Sequence, residues 1–469
     1  MKGPAVMCFG CLATAFALLS APAPQAEQAQ PGLPNILLIT IDTLRADHLS
    51  SYGYHKKTTP RIDQLAGDGV RFEKVYTTVP LTGPSHVSLF TSRYPQEHGA
   101  RINGTAPPRN SRWLSLPQIL RRFGYRSSAF VSAWPLIGRL TQLNRWFDEY
   151  DEEMTRKYDV VHSSRYAEDL TPVVSRWLDR NKGAEKPFFL WVHYFDPHSP
   201  YDLKKGYEDL EPSGHEKRGA DPVNREMAKR IRHYDSEIAF TDEHVGRLLD
   251  KLDRLGLRDS TLVVLTADHG EGLGEHGYVG HGRWLDDSIV HVPLIFRYPG
   301  KLPAGQVVSE NVSLLDVAPT VIELAGISEL AKSVEPWSFA GRSLASPMMG
   351  VEALPARPMR YVAFAGRKGF APGWMSWMWS RKSQLPLRLG MTMGSDKLVW
   401  TPGESKLAVL DTEKDPFERS PRILKAGEQV YERQTASLQR WFDATDLEET
   451  ELEISDSDAE VLKSLGYLQ

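Results

Sequence analysis

Beyond residue 11 this chain of 469 residues has no cysteine, because its two, Cys8 and Cys11, both lie in the first dozen positions. A chain matured by removal of that segment would have no disulfide, no thiol nucleophile and no cysteine open to conversion into another catalytic group. Charge of one sign is also missing: 56 Lys and Arg stand against 60 Asp and Glu, a formal net charge of -4. That sum exerts no long-range pull on nucleic acid or an anionic membrane, so no nucleic-acid partner is expected. An anionic substrate would have to be held by local groups. Long apolar runs are scarce as well. The longest near the start, Ala5 to Leu19, is about 15 residues, short for a spanning helix. No spanning membrane segment is expected in the mature chain. Lys2 before that run, and Ala/Pro/Gln-rich sequence from Ser20 to Gln30 after it, read as an export signal and spacer over residues 1–30. A periplasmic or secreted protein is the expectation, with an uncleaved anchor as the alternative.

What is present supports a sizeable core. The hydrophobic fraction is 41%, and the length suggests two to three domains. Pro34-Asn-Ile-Leu-Leu-Ile-Thr-Ile-Asp-Thr43 is a continuous apolar run that ends in Asp42, as a central parallel strand buried on both faces would. Pro187 to Tyr194 is a second such run and leads into Asp196-Pro-His198. Ser260 to Ala267 is a third and ends in Asp268-His269-Gly-Glu271. Helical patterns at Pro60–Gly67, Leu116–Phe123, Tyr166–Asn181 and Arg230–Leu255 alternate with the strands, which predicts a doubly wound α/β fold with a mostly parallel sheet between helices. Residues 202–230 read as a polar surface insertion. Ligands in such sheets bind at the carboxyl ends of the strands, where all three runs deliver polar clusters.

Residues 31–340 are expected to form the catalytic domain and 341–469 a smaller C-terminal α+β subdomain. The latter should contain strands near Lys397–Trp400 and Leu407–Leu410, a helix over Gly427–Ala444, and an acidic lead-in at 445–460 to a last helix.

Thr82 stands at a loop-to-helix junction. Gly83 and Pro84 predict a tight turn, Ser85 a cap, and His86 to Thr91 a helix whose free N–H groups would favour an anion beside the Thr82 hydroxyl. The carboxylates of Asp42 and Asp268, the imidazole of His269 and the Thr82 oxygen make a ligand set for a hard-to-borderline cation. Such a cation would polarise an ester oxygen and favour the Thr82 alkoxide, since a free threonine hydroxyl is inert at neutral pH. His198 is the candidate general acid, titrating near neutrality, and its cation would attract an anionic substrate. His281 and Arg283 are candidates for the substrate's equatorial oxygens, and Asn103 and His86 for further donors near the nucleophile loop. Plainer alternatives stand beside these: a helix-capping Asp42, a packed His198, solvated His281 and Arg283.

Seven segments together resemble the sulfatase family of the alkaline-phosphatase superfamily. They are Ile39-Thr-Ile-Asp-Thr-Leu-Arg-Ala-Asp-His48, Thr82-Gly-Pro-Ser-His-Val-Ser-Leu-Phe-Thr-Ser-Arg-Tyr-Pro95, Asp196-Pro-His-Ser-Pro-Tyr201, Ala267-Asp-His-Gly-Glu-Gly-Leu-Gly-Glu-His-Gly277, Val292-Pro-Leu-Ile295, Leu410-Asp-Thr-Glu-Lys-Asp-Pro-Phe-Glu418 and Leu465-Gly-Tyr-Leu468. The resemblance implies an alkaline-phosphatase-like core, ester hydrolysis through a covalent intermediate, and one divalent cation, calcium first, with manganese or zinc as alternatives. By it Asp42, Asp268 and His269 match metal positions, Thr82 the nucleophile and His198 the leaving-group histidine.

Three places depart from the family pattern. The signature begins with Cys or Ser, oxidised to formylglycine, and carries Arg four places later, where this chain has Thr82 and His86. The usual Lys-x-His corresponds to Ser132-Ala133-Trp134. Threonine oxidised in the same way would give a ketone, not an aldehyde. The expected activity is therefore hydrolysis of a sulfate, phosphate or phosphonate ester of a small molecule or glycan by Thr82 itself. The alternatives are a transferase passing a phosphoryl group to an alcohol, and a non-catalytic homologue that binds anionic glycans.

Overall fold

Strand β1 (Asn35–Ile41) is buried along its length after Asn35 and lies inside an eight-stranded sheet. The other strands are β2 (Val70–Tyr76), β3 (Arg126–Phe130), β4 (Glu149–Asp151), β5 (Phe188–Tyr194), β6 (Thr261–Ala267), β7 (Leu294–Arg297) and β8 (Gln306–Ser313). Their order is β8-β2-β7-β6-β1-β5-β3-β4, and only β7 runs against the rest. The expected doubly wound, mostly parallel sheet is present. β5 and β6 are buried at every position, because helices cover both faces of the sheet and leave no polar side. The computed structural model describes residue 1 and residues 32–444 apart from 110, 112, 158–162, 216–223, 330–338 and 365–384. The leader with both cysteines, the acidic lead-in and the C-terminal Leu465–Leu468 segment lie outside the described residues.

Helices Pro60–Gly67 and Ala167–Asn181 pack on the long helix Arg225–Arg254, and Leu116–Arg122 and Val317–Leu324 pack on the Thr82–Thr91 helix. The long helix starts five residues before its expected first residue. Asn224 caps it by accepting from the Met227 N–H at 2.9 Å, and Met227 is the only buried residue of its first nine. With so few apolar residues in those turns, periodicity gave no sign of them.

The Thr82 helix also starts earlier than expected. Thr82 is its first residue and Leu81 its N-cap, so Gly83 and Pro84 occupy the first turn rather than a separate one. Proline is tolerated there because its missing N–H would have had no partner within the helix. Ser85 is not a cap. Its N–H donates to the Leu81 carbonyl at 2.9 Å and its hydroxyl to the Asp268 carbonyl at 2.7 Å.

A second, antiparallel sheet follows, with strands Met359–Phe364, Pro386–Met393, Asp396–Trp400, Lys406–Asp411 and Arg422–Lys425, and the Gln429–Asp443 helix packs on it. Ala345–Met348 packs against Val317–Leu324 and β8. The second sheet matters for the site. Leu389, Trp400, Leu407 and Leu438 share one apolar cluster with Val79 and Leu81, so the residue preceding Thr82 is anchored on both parts of the molecule. Burying Leu81 contributes about 2 kcal/mol toward holding that junction.

Candidate active site

Register sets the geometry. Ile41 pairs with Ala267 of β6 on one side and with Tyr194 of β5 on the other. Asp42 and Asp268 therefore leave adjacent parallel strands at the same level. One oxygen of Asp268 accepts from the N–H groups of Thr43 at 3.2 Å and His269 at 2.8 Å. Its other oxygen, and both oxygens of Asp42, have no hydrogen-bond partner, although both residues are only 1% exposed. Ligand atoms of Asp42, Asp268 and His269 lie within 4.8 Å of one another. The Thr82 hydroxyl oxygen is 3.4 Å from His269 Nε2. His269 Nδ1 donates to the Gly270 carbonyl at 2.9 Å, which leaves Nε2 as the lone pair on the Thr82 side.

This donor set fits a divalent cation. Two buried carboxylates side by side, with three oxygens unpartnered, are costly unless a positive charge joins them. Burial, then the charges of Asp268 and Glu271, hold the Asp42 carboxyl well above its ordinary range. Burial would raise Asp268 too, but His269, His86, His193 and the His269 N–H outweigh it, and it lies below the usual value. Burial lowers His269, which keeps the imidazole neutral as ligation requires.

His198 and His281 complete the group. The His198 ring centroid lies 5.3 Å from that of His281, which in turn is 4.3 Å from that of His269. His281 Nδ1 meets Glu271 Oε1 at 3.0 Å, and His198 Nδ1 donates to the Ser199 carbonyl at 2.6 Å. Burial, then His281, push His198 down to about 4, and burial pushes His281 down to about 4. Burial thus works against the imidazolium expected at His198, because a desolvated ring sheds its charge.

Asn103 lies against the start of the Thr82 helix: its side-chain oxygen accepts from the Gly83 N–H at 2.8 Å, while its buried amide nitrogen has no partner. Arg283 is half-buried, and its carbonyl accepts from Arg388 Nη1 at 2.5 Å, which ties this loop to the second sheet. His86 does not fit the expected substrate-binding role. Nδ1 donates to the Thr82 carbonyl at 2.7 Å and Nε2 meets the Thr40 hydroxyl at 3.0 Å, so both nitrogens are spent within the protein.

Two residues were missed. His193 is fully buried, 3.8 Å from Asp42 Oδ2, with neither ring nitrogen hydrogen-bonded. Thr40 pairs with it across β1 and β5. The available signal was a polar residue inside each of two otherwise apolar runs. Ser132, standing where the family pattern has Lys, is fully buried and its hydroxyl has no partner.

A hydroxyl, two carboxylates and three imidazoles gathered at the carboxyl edge of a mostly parallel sheet define an ester-cleaving enzyme of the alkaline-phosphatase-like class. The sulfatase family model matches residues 34–327, and the chain belongs to that family. It is a sulfatase-family ester hydrolase. It is similar to an N-acetylglucosamine-6-O-sulfatase of Bacteroides thetaiotaomicron, with 26% identity over 403 residues covering 67% of this chain and 71% of that one. An arylsulfatase of Clostridium perfringens is 28% identical over 373 residues, 64% of this chain and 76% of that one. Among solved structures, the phosphonate monoester hydrolase of Agrobacterium radiobacter superposes with a TM-score of 0.67 at 22% identity, covering 87% of this chain and 96% of that one. Among the described residues no helix is long and apolar enough to cross a membrane.

Proposed function

We propose that this enzyme cleaves a sulfate or a phosphate or phosphonate ester of a small molecule or glycan through a covalent intermediate on Thr82. The observation that carries this is the Thr82 hydroxyl at 3.4 Å from His269 Nε2, beside three unpartnered oxygens of Asp42 and Asp268. Asp42, Asp268, His269 and the Thr82 oxygen would hold one divalent cation, calcium first, with manganese or zinc as alternatives. The cation, when bound, lowers the pKa of the Thr82 hydroxyl and offsets charge on the ester oxygens.

The rest falls to the chain's own residues. Asn103 Nδ2, His281 and Arg283 orient the anionic group. Thr82 Oγ, its proton passed to solvent water, forms a bond to sulfur or phosphorus as the bond to the leaving oxygen breaks. An anionic ester beside His198 raises its pKa, so it gains a proton on binding and gives that proton to the leaving oxygen. Water then attacks the same atom and gives a proton to neutral His198, and Thr82 leaves as the alkoxide and takes its proton back from solvent water. We also infer export, on the Lys2-then-apolar leader.

The test is a panel of aryl sulfate, phosphate, phosphodiester and phosphonate substrates, assayed after chelation with calcium, manganese or zinc restored. One ester should turn over in wild type and not in Thr82→Ala, with a mass increment on Thr82 in rapidly quenched samples. Turnover by Thr82→Ala at the wild-type rate would refute the assignment, and transfer to an added alcohol in preference to water would make the enzyme a transferase.

A further inference from the structure

We infer that His86, held in one tautomer by Thr40 and Trp191, is a positioning residue that fixes the first turn of the Thr82 helix and with it the Thr82 hydroxyl; this rests on Thr82 as nucleophile. The indole N–H of Trp191 donates to Thr40 Oγ at 2.9 Å. An indole nitrogen can only donate, so the hydroxyl hydrogen of Thr40 is left for His86 Nε2 at 3.0 Å. Nε2 is then the acceptor and Nδ1 carries the hydrogen. Nδ1 meets the Thr82 carbonyl at 2.7 Å, which accepts it. The Thr82 carbonyl can only accept, which fixes the hydrogen on Nδ1, and the Thr40 hydroxyl is placed to supply the hydrogen that Nε2 accepts.

The chain of bonds begins in rigid core. Trp191 is fully buried, edge-on to Phe90 with centroids 4.9 Å apart and stacked on Phe147 at 5.7 Å. Register explains why the parts meet. Thr40 pairs with His193 and Leu38 with Trp191, so at a period of two all four side chains share one face of the sheet, and Phe90 of the Thr82 helix touches Trp191 on it. The other end of the relay reaches the candidate site: His86 Nδ1 is also 4.0 Å from Asp268 Oδ2. The relay needs a side chain that both donates and accepts. Arginine, which the family pattern has at this place, carries no acceptor and could not receive the Thr40 hydrogen.

The experiment uses the full chain with Thr40→Val, His86→Leu, His86→Asn and Thr82→Ala, on whichever ester wild type hydrolyses, with thermal unfolding in parallel. Thr40→Val and His86→Leu should lower kcat about tenfold or more, with KM within about threefold, since the ground-state contacts to substrate are untouched. His86→Asn puts an amide N–H near the place of Nδ1–H and should recover to within about fivefold of wild type. If both Thr40→Val and His86→Leu keep wild-type kcat, if the loss falls on KM, or if Asn does no better than Leu, the relay is wrong. Full activity in Thr82→Ala sinks the nucleophile assignment instead, whereas loss in Thr82→Ala with wild-type kcat in Thr40→Val sinks the relay alone. Should His86→Leu not fold, Thr40→Val, which exchanges one hydroxyl for a methyl, decides. The tautomer is read without turnover by histidine 15N chemical shifts, and an Nε2–H form of His86 would also overturn the relay.

Discussion

Asp42 and Asp268 leave adjacent parallel strands side by side, and of their four carboxylate oxygens only one, on Asp268, is hydrogen-bonded. Asp42 is held well above its ordinary range by burial and then by Asp268 and Glu271.

The cation should therefore act as a pH-dependent stabiliser. A carboxyl whose folded pKa exceeds its unfolded one contributes stability that is full below the unfolded value and is lost as pH rises through the folded value. In chelator, Asp42 should make the fold less stable as pH rises above about 4. A bound cation competes with that proton, so the gain in stability on adding calcium should grow from pH 5 to pH 8 and reach about 2.7 kcal/mol at 100 times Kd. Thermal unfolding with and without calcium measures it. Asp42→Asn should flatten the growth; if the variant shows the same pH-dependent gain, Asp42 is not a ligand.

Thr82 separates two roles of one oxygen. Thr82→Ser keeps it and should retain activity within about tenfold, whereas Thr82→Ala should lose about 1000-fold or more in kcat. Equal losses in the two variants would mean that the methyl, and so packing of the helix start, matters more than the nucleophile.

His198 should matter in proportion to how poor the leaving group is. A nitrophenolate departs without help, an alkoxide needs a proton, so His198→Ala should cost about 100-fold or more on an alkyl ester and less than about tenfold on a nitrophenyl one. Because the resting pKa is pushed down to about 4 by burial and then by His281, the free enzyme's histidine signal should titrate there and move up when a non-hydrolysed anion is bound. A uniform loss across leaving groups would contradict the general-acid role.

That Asp42 and the Asp268-His269 pair stand just past strand ends was legible because each follows an apolar run whose end a strand pattern marks well. The start of the Thr82 helix was not, since Gly83-Pro84 reads as a turn unless the first-turn tolerance for proline is given weight. The engagement of His86 could not be read at all. It depends on Thr40, 46 positions away on β1, standing beside the Thr82 helix, and a tertiary contact of that kind leaves no local trace. Three strands of the second sheet were also unforeseen, among them Arg422–Lys425, where only one residue of the four is buried.

His193 makes the sharpest case, because removing it should have opposite effects on two measurements. Its ring is fully buried and neither nitrogen is hydrogen-bonded, a state that costs about 1–3 kcal/mol for each unsatisfied group. Replacing it by an apolar side chain of similar size removes that penalty, so His193→Leu should raise the unfolding temperature of the chelated protein by up to a few degrees. With a cation drawing in Asp42, the 3.8 Å separation from Asp42 Oδ2 is short enough for Nε2–H to close on that oxygen and orient the carboxylate. Losing this donor should weaken calcium binding about 10- to 100-fold by titration calorimetry. A variant that is both less stable without the cation and unchanged in calcium affinity would show that His193 is only a packed core residue.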